Sequence, residues 1–374
     1  MAAARHAEIA GAGFAGLAAA TALCQRGWSV RVHETSPTPR AFGAGIHIWG
    51  NGILVLRALG AYAAVAEGAP RPPCYETRTN DVRTSAEALN LPGKDPFMSV
   101  TRQHLYAAMY DAALHAGAEI VTDSTAAGAT GDGVLILEDG SRLPADLVIG
   151  ADGVRSRVRD AFQLGQQRRH FADGLTRVLV ERGSLRGDQW EHVIDFWYVK
   201  ERTLRVLCSP VSDDELYLAM MAPVTDTEAS AVPVRPEPWL ACFPQLEPVL
   251  TRLGTRGRHD TYETAALDRW SEGKVAILGD AAHAMPPTLG QGMNTAISNA
   301  LALAVALDER RGVPDALALW ESRERPLTDH TQRRAGEIVA ARSLAGGMDW
   351  DDEGLRAARH VPTGTEAMAD LATG

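Results

Sequence analysis

The chain has 374 residues, of which 45% are hydrophobic and 22% are charged, a composition typical of a globular enzyme with one large domain or two closely packed ones. Its formal net charge of -10 argues against an extended nucleic-acid-binding surface, and the lack of an apolar run of about eighteen residues argues against a membrane span. The four cysteines are widely spaced and form no CxxC pair, so we expect no metal site, no disulfide framework and a cytoplasmic location.

The hydrophobic pattern predicts an α/β fold in which segments of two domains alternate along the chain. The predicted elements, in chain order, are a strand over 6–10, a helix over 17–26, a strand over 28–33, a helix over 101–117, a hairpin and a buried strand over 134–149, strands at 176–180, 193–198, 205–209 and 216–222, a strand over 274–279, and helices over 289–307 and 313–343. Residues 70–96 are rich in Pro, Thr and Asn and break the first pattern.

These changes of character predict six segments. The first domain takes 1–74, 97–169 and 259–345; a smaller, mostly antiparallel sheet domain takes the excursion 75–96 and then 170–258; and 346–374 is a polar tail.

A glycine motif lies between the first strand and the first helix. Gly11-x-Gly13-x-x-Gly16 allows a tight turn and lets backbone N–H groups approach a pyrophosphate at the start of a helix. Glu34 follows about twenty residues later, where a carboxylate binds ribose hydroxyls. The motif predicts a bound dinucleotide but does not separate NAD from FAD.

Two further motifs follow buried strands. The segment beginning Gly150-Ala-Asp152-Gly153 opens a helix, with Ser156 available as its cap, and by itself it could be purely structural. The segment from Gly279-Asp280 to Asn294 is rich in Gly and Pro and leads into a long helix. Its Asp can hydrogen-bond a sugar hydroxyl, and the N–H groups at the helix start suit an electron-rich ligand edge.

In this order and spacing, the three motifs resemble the single-component flavoprotein aromatic hydroxylases, the family typified by p-hydroxybenzoate and salicylate hydroxylases. The resemblance implies a Rossmann-like FAD-binding domain interleaved with a smaller antiparallel substrate domain, followed by C-terminal helices. It also implies a monooxygenase in which transiently bound NADH or NADPH reduces FAD, O2 forms a hydroperoxide at flavin C4a, and oxygen passes to a small aromatic or N-heteroaromatic acid.

The same resemblance implies which residues contact the cofactor. Arg102 matches an FAD-contacting Arg of the family, and Asp280 matches a ribityl or ribose ligand. The full set of implied FAD-binding residues is Gly11, Gly13, Ala15, Gly16, Glu34, Arg40, Arg102, Asp280, Gly290, Gly292, Met293 and Asn294.

Segments around Tyr75, Arg205 and Tyr217 resemble the 2-methyl-3-hydroxypyridine-5-carboxylate oxygenases and their 5-pyridoxate-oxidising relatives. This likeness implies a hydroxypyridine carboxylate as substrate, with all three residues in the substrate site and the two tyrosines also acting in catalysis. The chemistry fits, because an Arg fork binds carboxylates and Tyr hydroxyls bond ring heteroatoms or a phenolic oxygen. The alternative is that they are ordinary strand residues, with Arg205 facing solvent.

His47 complicates that likeness. The segment Gly45-Ile-His47-Ile48 resembles the 6-hydroxynicotinate 3-monooxygenases, in which a His acts as a base on the ring hydroxyl. A His suits this proton removal, while the alternative is a histidine packed beside the flavin. We expect His283 to be structural, and Asn299 replaces an Asp that many relatives have.

Other chemistries remain as alternatives. A salicylate-type hydroxylase, an FAD oxidase or reductase, a halogenase and a non-enzymatic FAD sensor share the glycine motif, although the chain lacks the sequence context of a halogenase Lys. The sequence has no second GxGxxG for a separate NAD domain. The choice between hydroxylation and ring opening, between NADH and NADPH, and between monomer and homo-oligomer stays open at this point.

Overall fold

The computed structural model describes residues 5–39, 44–254, 257–345 and 351–368. The strands are β1 (His6–Ala10), β2 (Ser29–His33), β3 (Gly45–Trp49), β4 (Cys74–Thr79), β5 (Val82–Ala88), β6 (Phe97–Thr101), β7 (Glu119–Val121), β8 (Ala126–Thr130), β9 (Val134–Leu137), β10 (Arg142–Pro144), β11 (Leu147–Gly150), β12 (Gln167–Glu181), β13 (Val193–Val199), β14 (Thr203–Pro210), β15 (Glu215–Pro223), β16 (His259–Ala266), β17 (Ser271–Glu272) and β18 (Val275–Ile277).

The α-helices are α1 (Phe14–Cys24), α2 (Gly50–Ala58), α3 (Tyr62–Ala66), α4 (Arg102–Ala116), α5 (Arg157–Asp160), α6 (Asp188–Glu191), α7 (Glu237–Cys242), α8 (Glu247–Leu250), α9 (Asp280–His283), α10 (Gly292–Glu309), α11 (Val313–Ala345) and α12 (Asp352–Leu355). Short 3-10 helices lie at Pro244–Leu246 and Pro287–Leu289. Among the residues described, no helix combines the length and the hydrophobicity that a bilayer crossing needs.

The nucleotide-binding part is built on a sheet of order β17-β18-β11-β1-β2-β7, parallel except for its β17–β18 edge. Strands β1, β11 and β18 are almost wholly buried, as expected for parallel strands covered on both faces. Helices α1 and α10 pack against each other beside this sheet. The carboxyl ends of β1, β11 and β18 therefore bring all three sequence motifs to one edge, where open α/β sheets bind ligands.

The second sheet has the order β16-β12-β15-β14-β13-β4-β5 and is antiparallel except where β13 pairs with β4. The mixed α/β fold with an antiparallel second sheet and C-terminal helices is thus as predicted. The excursion at 70–96 forms β4 and β5 of this sheet, and β6, which follows it, pairs with β3 in a separate two-stranded sheet. The second sheet also includes β16, which lies beyond the predicted boundary at residue 258. Its strand β12 begins at Gln167, before the predicted boundary at residue 170.

Side-chain alternation gives this second sheet two different faces. Ile194, Phe196 and Val206 point to one face, which α7 and α8 cover with residues such as Trp239 and Val249. The other face carries aromatic and charged side chains and packs against residues of β3 and β6, which link it to the nucleotide-binding part. This inner face is therefore the wall on which a ligand next to the dinucleotide would rest.

The predicted polar tail is partly packed. In residues 351–368, Leu355 and Ala358 are buried, and the carbonyl of Ala358 accepts a hydrogen bond from the N–H of Asn51 at 3.1 Å. Arg359 forms an ion pair with Asp95 at 2.9 Å. The segment is thus held against α2 and the start of β6, which its weak periodicity did not predict.

Candidate active site

The glycine turn has the geometry that a pyrophosphate requires. Gly11 has a φ of +98°, and a Cβ added there would lie 2.4 Å from the carbonyl oxygen of Ala151. A Cβ on Gly16 would lie 2.0 Å from the Gly11 carbonyl oxygen, so both positions exclude any side chain. Gly13, the N-cap of α1, has no atom within 4 Å of its Cβ position. The helix N-terminus is therefore open at the position where its N–H groups can meet a phosphate.

Glu34 lies at the end of β2, beside the glycine turn. One carboxylate oxygen accepts a hydrogen bond from the N–H of Ala12 at 3.0 Å, and the other accepts one from Ser36 at 2.8 Å. A carboxylate has about four lone-pair sites, so these bonds leave acceptors for a ribose hydroxyl. The predicted contact Arg40 lies outside the described residues.

The second motif supports the third. Arg159 is 1% exposed and donates hydrogen bonds to the carbonyls of Val154 at 3.0 Å and Ala281 at 3.1 Å. Asp152 accepts from the N–H groups of Arg157 at 2.8 Å and Val158 at 3.2 Å and so begins α5. Arg159 is thus a buried link between the ends of two strands. The sequence pattern had left open whether this motif is structural.

The third motif approaches the first at Gly279. This residue has a φ of +64°, and a Cβ on it would meet the Cβ of Ala15 at 2.8 Å. The neighbouring Asp280 is solvent-exposed, yet surrounding protein raises its pKa by desolvation while Arg102 lowers it. An accessible group with so much protein around it lies in the wall of a cleft.

Arg102 begins α4 and faces this cleft. Burial and the charge of Arg177 lower its pKa, and the carboxylate of Asp280 raises it. Its guanidinium lies 5.0 Å from the ring centre of Phe14, and its Nε is buried without a hydrogen-bond partner in the described part of the chain. A buried donor of this kind is suited to a ligand oxygen.

Asn294 is fully buried, and its side chain is bonded to backbone. Its Oδ1 accepts from the N–H of Trp49 at 3.2 Å, and its Nδ2 donates to the carbonyls of His47 at 3.2 Å and Gly290 at 2.8 Å. The side chain therefore ties the start of α10 to β3. Gly292 and Met293, partly exposed at the same helix start, are better placed for the predicted flavin contact.

His47 lies on β3 among aromatic rings. Its ring centre is 4.9 Å from that of Phe97 and 6.3 Å from that of Tyr217. Burial, followed by the charge of Arg205, lowers the pKa of His47 to about 3. Its Nε2 is buried and has no hydrogen-bond partner among the residues described. The imidazole is therefore neutral at neutral pH, with one ring nitrogen available to a ligand.

Arg205 lies in β14 on the inner face and is 4% exposed, so it does not face solvent. Its Nε donates to Oδ1 of Asp195 at 2.6 Å, and its guanidinium lies 5.4 Å from the ring centre of Trp197. Burial alone would lower the pKa of Arg205, but Asp195 and Tyr75 raise it. Arg205 also hydrogen-bonds Tyr75, whose pKa burial raises.

Tyr217 completes the group on the inner face. A Cβ on Gly45 would lie 2.4 Å from its ring, so only glycine at this end of β3 admits the tyrosine. Tyr217 pairs across the sheet with Ser209, whose Oγ lies 2.8 Å from that of Ser99. We call His47, Tyr75, Trp197, Arg205 and Tyr217 the aromatic–arginine cluster.

His283, which was predicted to be structural, and Asn299, which replaces the Asp of many relatives, have clear partners. His283 is 2% exposed, its Nε2 lies 3.2 Å from Nδ2 of Asn299, and its ring packs on Trp270. The amide of Asn299 also donates to Thr328 at 3.1 Å. Asn299 therefore joins α10 to the histidine and to α11.

Sequence reasoning did not identify Asp195, Trp197 or Phe97. Asp195 and Trp197 are two positions apart on β13, so they share the face that also holds Arg205. That alternation was visible in the sequence. The sequence did not show the pairing of β13 with β14, which makes Asp195 a diagonal neighbour of Arg205.

Comparison with known proteins agrees with this geometry. The family model described as FAD binding domain matches residues 6–328. The chain belongs to the flavoprotein aromatic hydroxylase family. It is an FAD-dependent aromatic monooxygenase, and NAD(P)H is the reductant typical of this family.

The relatives are named for different rings. A solved structure of 2-methyl-3-hydroxypyridine-5-carboxylic acid oxygenase is 45% identical, has a TM-score of 0.92, and covers 96% of this chain and 98% of its own. The 2-heptyl-3-hydroxy-4(1H)-quinolone synthase of Mycobacteroides abscessus is 39% identical over 87% of this chain and 88% of its own length. The 6-hydroxynicotinate 3-monooxygenase of Pseudomonas fluorescens is 29% identical over 87% of this chain and 89% of its own length.

Proposed function

We propose that the chain hydroxylates or opens a small N-heteroaromatic ring that carries a hydroxyl or oxo group, and that a hydroxypyridine carboxylate is its substrate. The observation that carries this proposal is the aromatic–arginine cluster. An Arg that is 4% exposed bonds a Tyr and acts electrostatically on His47, at the edge where the three cofactor motifs meet. Such a set supplies donors for ring substituents and flat apolar surface for the ring.

The cofactor fits the residues present. The open helix start at Gly13 suits the pyrophosphate, Glu34 and Asp280 suit sugar hydroxyls, and the unpartnered Nε of Arg102 suits a ligand oxygen. Bound FAD, once reduced by NAD(P)H, supplies the activation of O2 for transfer to the ring. The protein's own residues bind and orient the ring and exclude water.

Four residues of the cluster have a role in binding the ring substituents. Tyr217 donates to or accepts from the ring hydroxyl, and Tyr75 and Arg205 hold a ring substituent. His47 faces the ring as a neutral imidazole and accepts a hydrogen bond from the hydroxyl through its free nitrogen. With a pKa lowered to about 3, the ring nitrogen is a weak base, so it polarises the O–H bond more than it removes the proton from the free ligand.

A neutral 4-quinolone is a second candidate substrate. The buried pair of Arg205 and Asp195 carries no net charge, which removes much of the attraction for a carboxylate. Relatives 38–40% identical to this chain are described as 2-heptyl-3-hydroxy-4(1H)-quinolone synthases. A quinolone presents a ring N–H and an oxo group, which the cluster can also bond.

The assembly is proposed to be a homo-oligomer. A structure of 2-methyl-3-hydroxypyridine-5-carboxylic acid oxygenase described as tetrameric supports this, because that protein is 45% identical over 96% of this chain. Sedimentation of the FAD-loaded protein tests it, and a monomer at every concentration would contradict it.

The substrate is tested with the FAD-loaded protein. We expect 2-methyl-3-hydroxypyridine-5-carboxylate to stimulate NADH or NADPH oxidation with a stoichiometric change in the ring absorbance, a shift for hydroxylation and a loss for ring opening. 6-Hydroxynicotinate and 2-heptyl-4(1H)-quinolone serve as the alternatives. Tyr217→Phe should lower coupling to product while leaving the FAD content unchanged. The proposal fails if no hydroxylated or oxo-substituted N-heteroaromatic stimulates oxidation above the ligand-free rate.

A further inference from the structure

The inner face of the second sheet holds one ion pair beneath the aromatic–arginine cluster. Asp195 is fully buried, and its Oδ1 accepts from Nε of Arg205 at 2.6 Å. Its Oδ2 is also buried and has no hydrogen-bond partner among the residues described. The Asp195 carboxylate is therefore desolvated at a cost in free energy, and the hydrogen bond that compensates for it is the one from Arg205.

This use of a carboxylate is not needed to hold the sheet. Neighbouring inner-face positions on β14 and β15 are occupied by Leu207, Ala219 and Met221, which pack without charge. Replacing a buried ion pair by apolar residues of similar volume is often neutral or stabilising. The pair is therefore better explained by what it does to a ligand.

Two arginines act electrostatically on the cluster: Arg205 acts on His47, and Arg102, whose pKa burial lowers and Asp280 raises, interacts with Tyr217. Arg205 lowers the pKa of His47, so the guanidinium acts on the ring-facing end of the site, while the lowered pKa of His47 and the raised pKa of Tyr75 leave both side chains neutral at neutral pH. Without Asp195, a ligand at the cluster would meet one unscreened positive charge. With Asp195 present, the ligand meets an Arg205 guanidinium that can still donate hydrogen bonds but whose positive charge is neutralised by the carboxylate.

We propose that Asp195 is a specificity-determining positioning residue. By neutralising Arg205 and holding its Nε, it makes the cluster select ring ligands by their hydrogen-bonding edges, with only a weak preference for a carboxylate over the equivalent neutral group. This rests on the proposed function, in which the ring lies against the cluster.

The test uses two ligands of nearly equal shape, 5-hydroxynicotinate and 5-hydroxynicotinamide. Their dissociation constants are measured by perturbation of the flavin absorbance, without turnover, in the wild type, Asp195→Asn and Asp195→Glu. We expect Asp195→Asn to raise the preference for the carboxylate by about tenfold to a hundredfold, because one charge near the ligand is removed. Asp195→Glu, which keeps the charge, should stay close to the wild type.

Two further variants separate charge from folding. Asp226→Asn is the matched control, because Asp226 pairs with Arg202 at 2.9 Å outside the cluster, and it should leave the ligand preference unchanged. The double variant Asp195→Leu/Arg205→Met removes both charges and should abolish the preference for the carboxylate. It remains informative if Asp195→Asn does not fold, since it leaves no unpaired charge.

Azide gives a readout that does not depend on the ring. As a small anion, it should perturb the flavin spectrum at about tenfold lower concentration in Asp195→Asn than in the wild type. If the substrate class is wrong, the aromatic ligands will not bind, but azide will still report the charge. An Asp195→Asn protein with unchanged azide affinity, or an equal loss of affinity for both aromatic ligands, overturns the role of Asp195.

Discussion

Replacing Asn294 by Ala should uncouple the candidate base from the flavin-facing helix. The change removes one acceptor, for Trp49 N–H, and two donors, to the carbonyls of His47 and Gly290. Each buried group left without a partner costs about 1–3 kcal/mol. Allowing for partial relaxation and shared solvent, we expect a loss of about 2–5 kcal/mol in the free energy of unfolding.

The assay is urea unfolding of the FAD-loaded protein, followed by kcat and KM for the ring substrate. Because the lost bonds hold the strand of His47, kcat should fall more than FAD affinity. Ser298→Ala is the control, since that hydroxyl donates only to the carbonyl of Asn294, one turn earlier on the same helix, at 2.8 Å. If Asn294→Ala is no less stable than Ser298→Ala and has the same kcat, the link between α10 and β3 has no energetic importance.

Three other predictions follow from the geometry. The pKa of His47 is lowered to about 3 in the folded protein, so between that pH and its unfolded pKa the unfolded chain binds a proton that the folded chain does not. The free energy of unfolding should therefore decline as pH falls below the unfolded pKa of His47. His47→Phe should lessen that decline in acid unfolding curves. Gly11→Ala should prevent FAD retention, measured as flavin per chain after desalting, whereas Gly60→Ala, which also has a positive φ but no atom within 4 Å, should keep FAD; equal retention would contradict the first. Burial alone would raise the pKa of Glu8, but its bonds to His33 and His6 lower it, so Glu8 stabilises the fold above its unfolded pKa and less as pH falls through its folded value. Glu8→Gln should therefore cost about 1–3 kcal/mol at pH 7 and much less in acid, and a loss independent of pH would refute this.

Local patterns were enough to predict the nucleotide-binding part. The glycine motif predicted the turn at Gly11, and the apolar runs predicted β1 to the residue and β11 and the long helices with ends displaced by up to about four residues. These elements are specified by short-range chemistry: a left-handed turn needs glycine, and buried parallel strands need apolar residues. The family resemblance then supplied FAD, which no single motif could.

The candidate site was less predictable because it depends on pairing between distant segments. Arg205 was predicted to be a substrate residue, and that stays a prediction, but its bond to Asp195 was not foreseen: strand register places Arg205 opposite Trp197 and diagonal to Asp195. Asn294 was predicted to contact the flavin together with the N–H groups of its helix start, which stays a prediction, but the bonding of its side chain to β3, 245 residues earlier in the chain, was not foreseen. Only the three-dimensional pairing of strands and helices reveals such contacts, because neither partner has a local pattern.

The central claim is that FAD in this chain activates O2 for insertion into an N-heteroaromatic ring. Its most direct test is turnover of 2-methyl-3-hydroxypyridine-5-carboxylate, or of the quinolone if that is preferred, under 18O2 with NAD(P)H, followed by mass spectrometry of the product. We expect 18O in the product, formed in proportion to NAD(P)H consumed. Oxidation of NAD(P)H that yields only hydrogen peroxide and unlabelled ring with each of these substrates would contradict it.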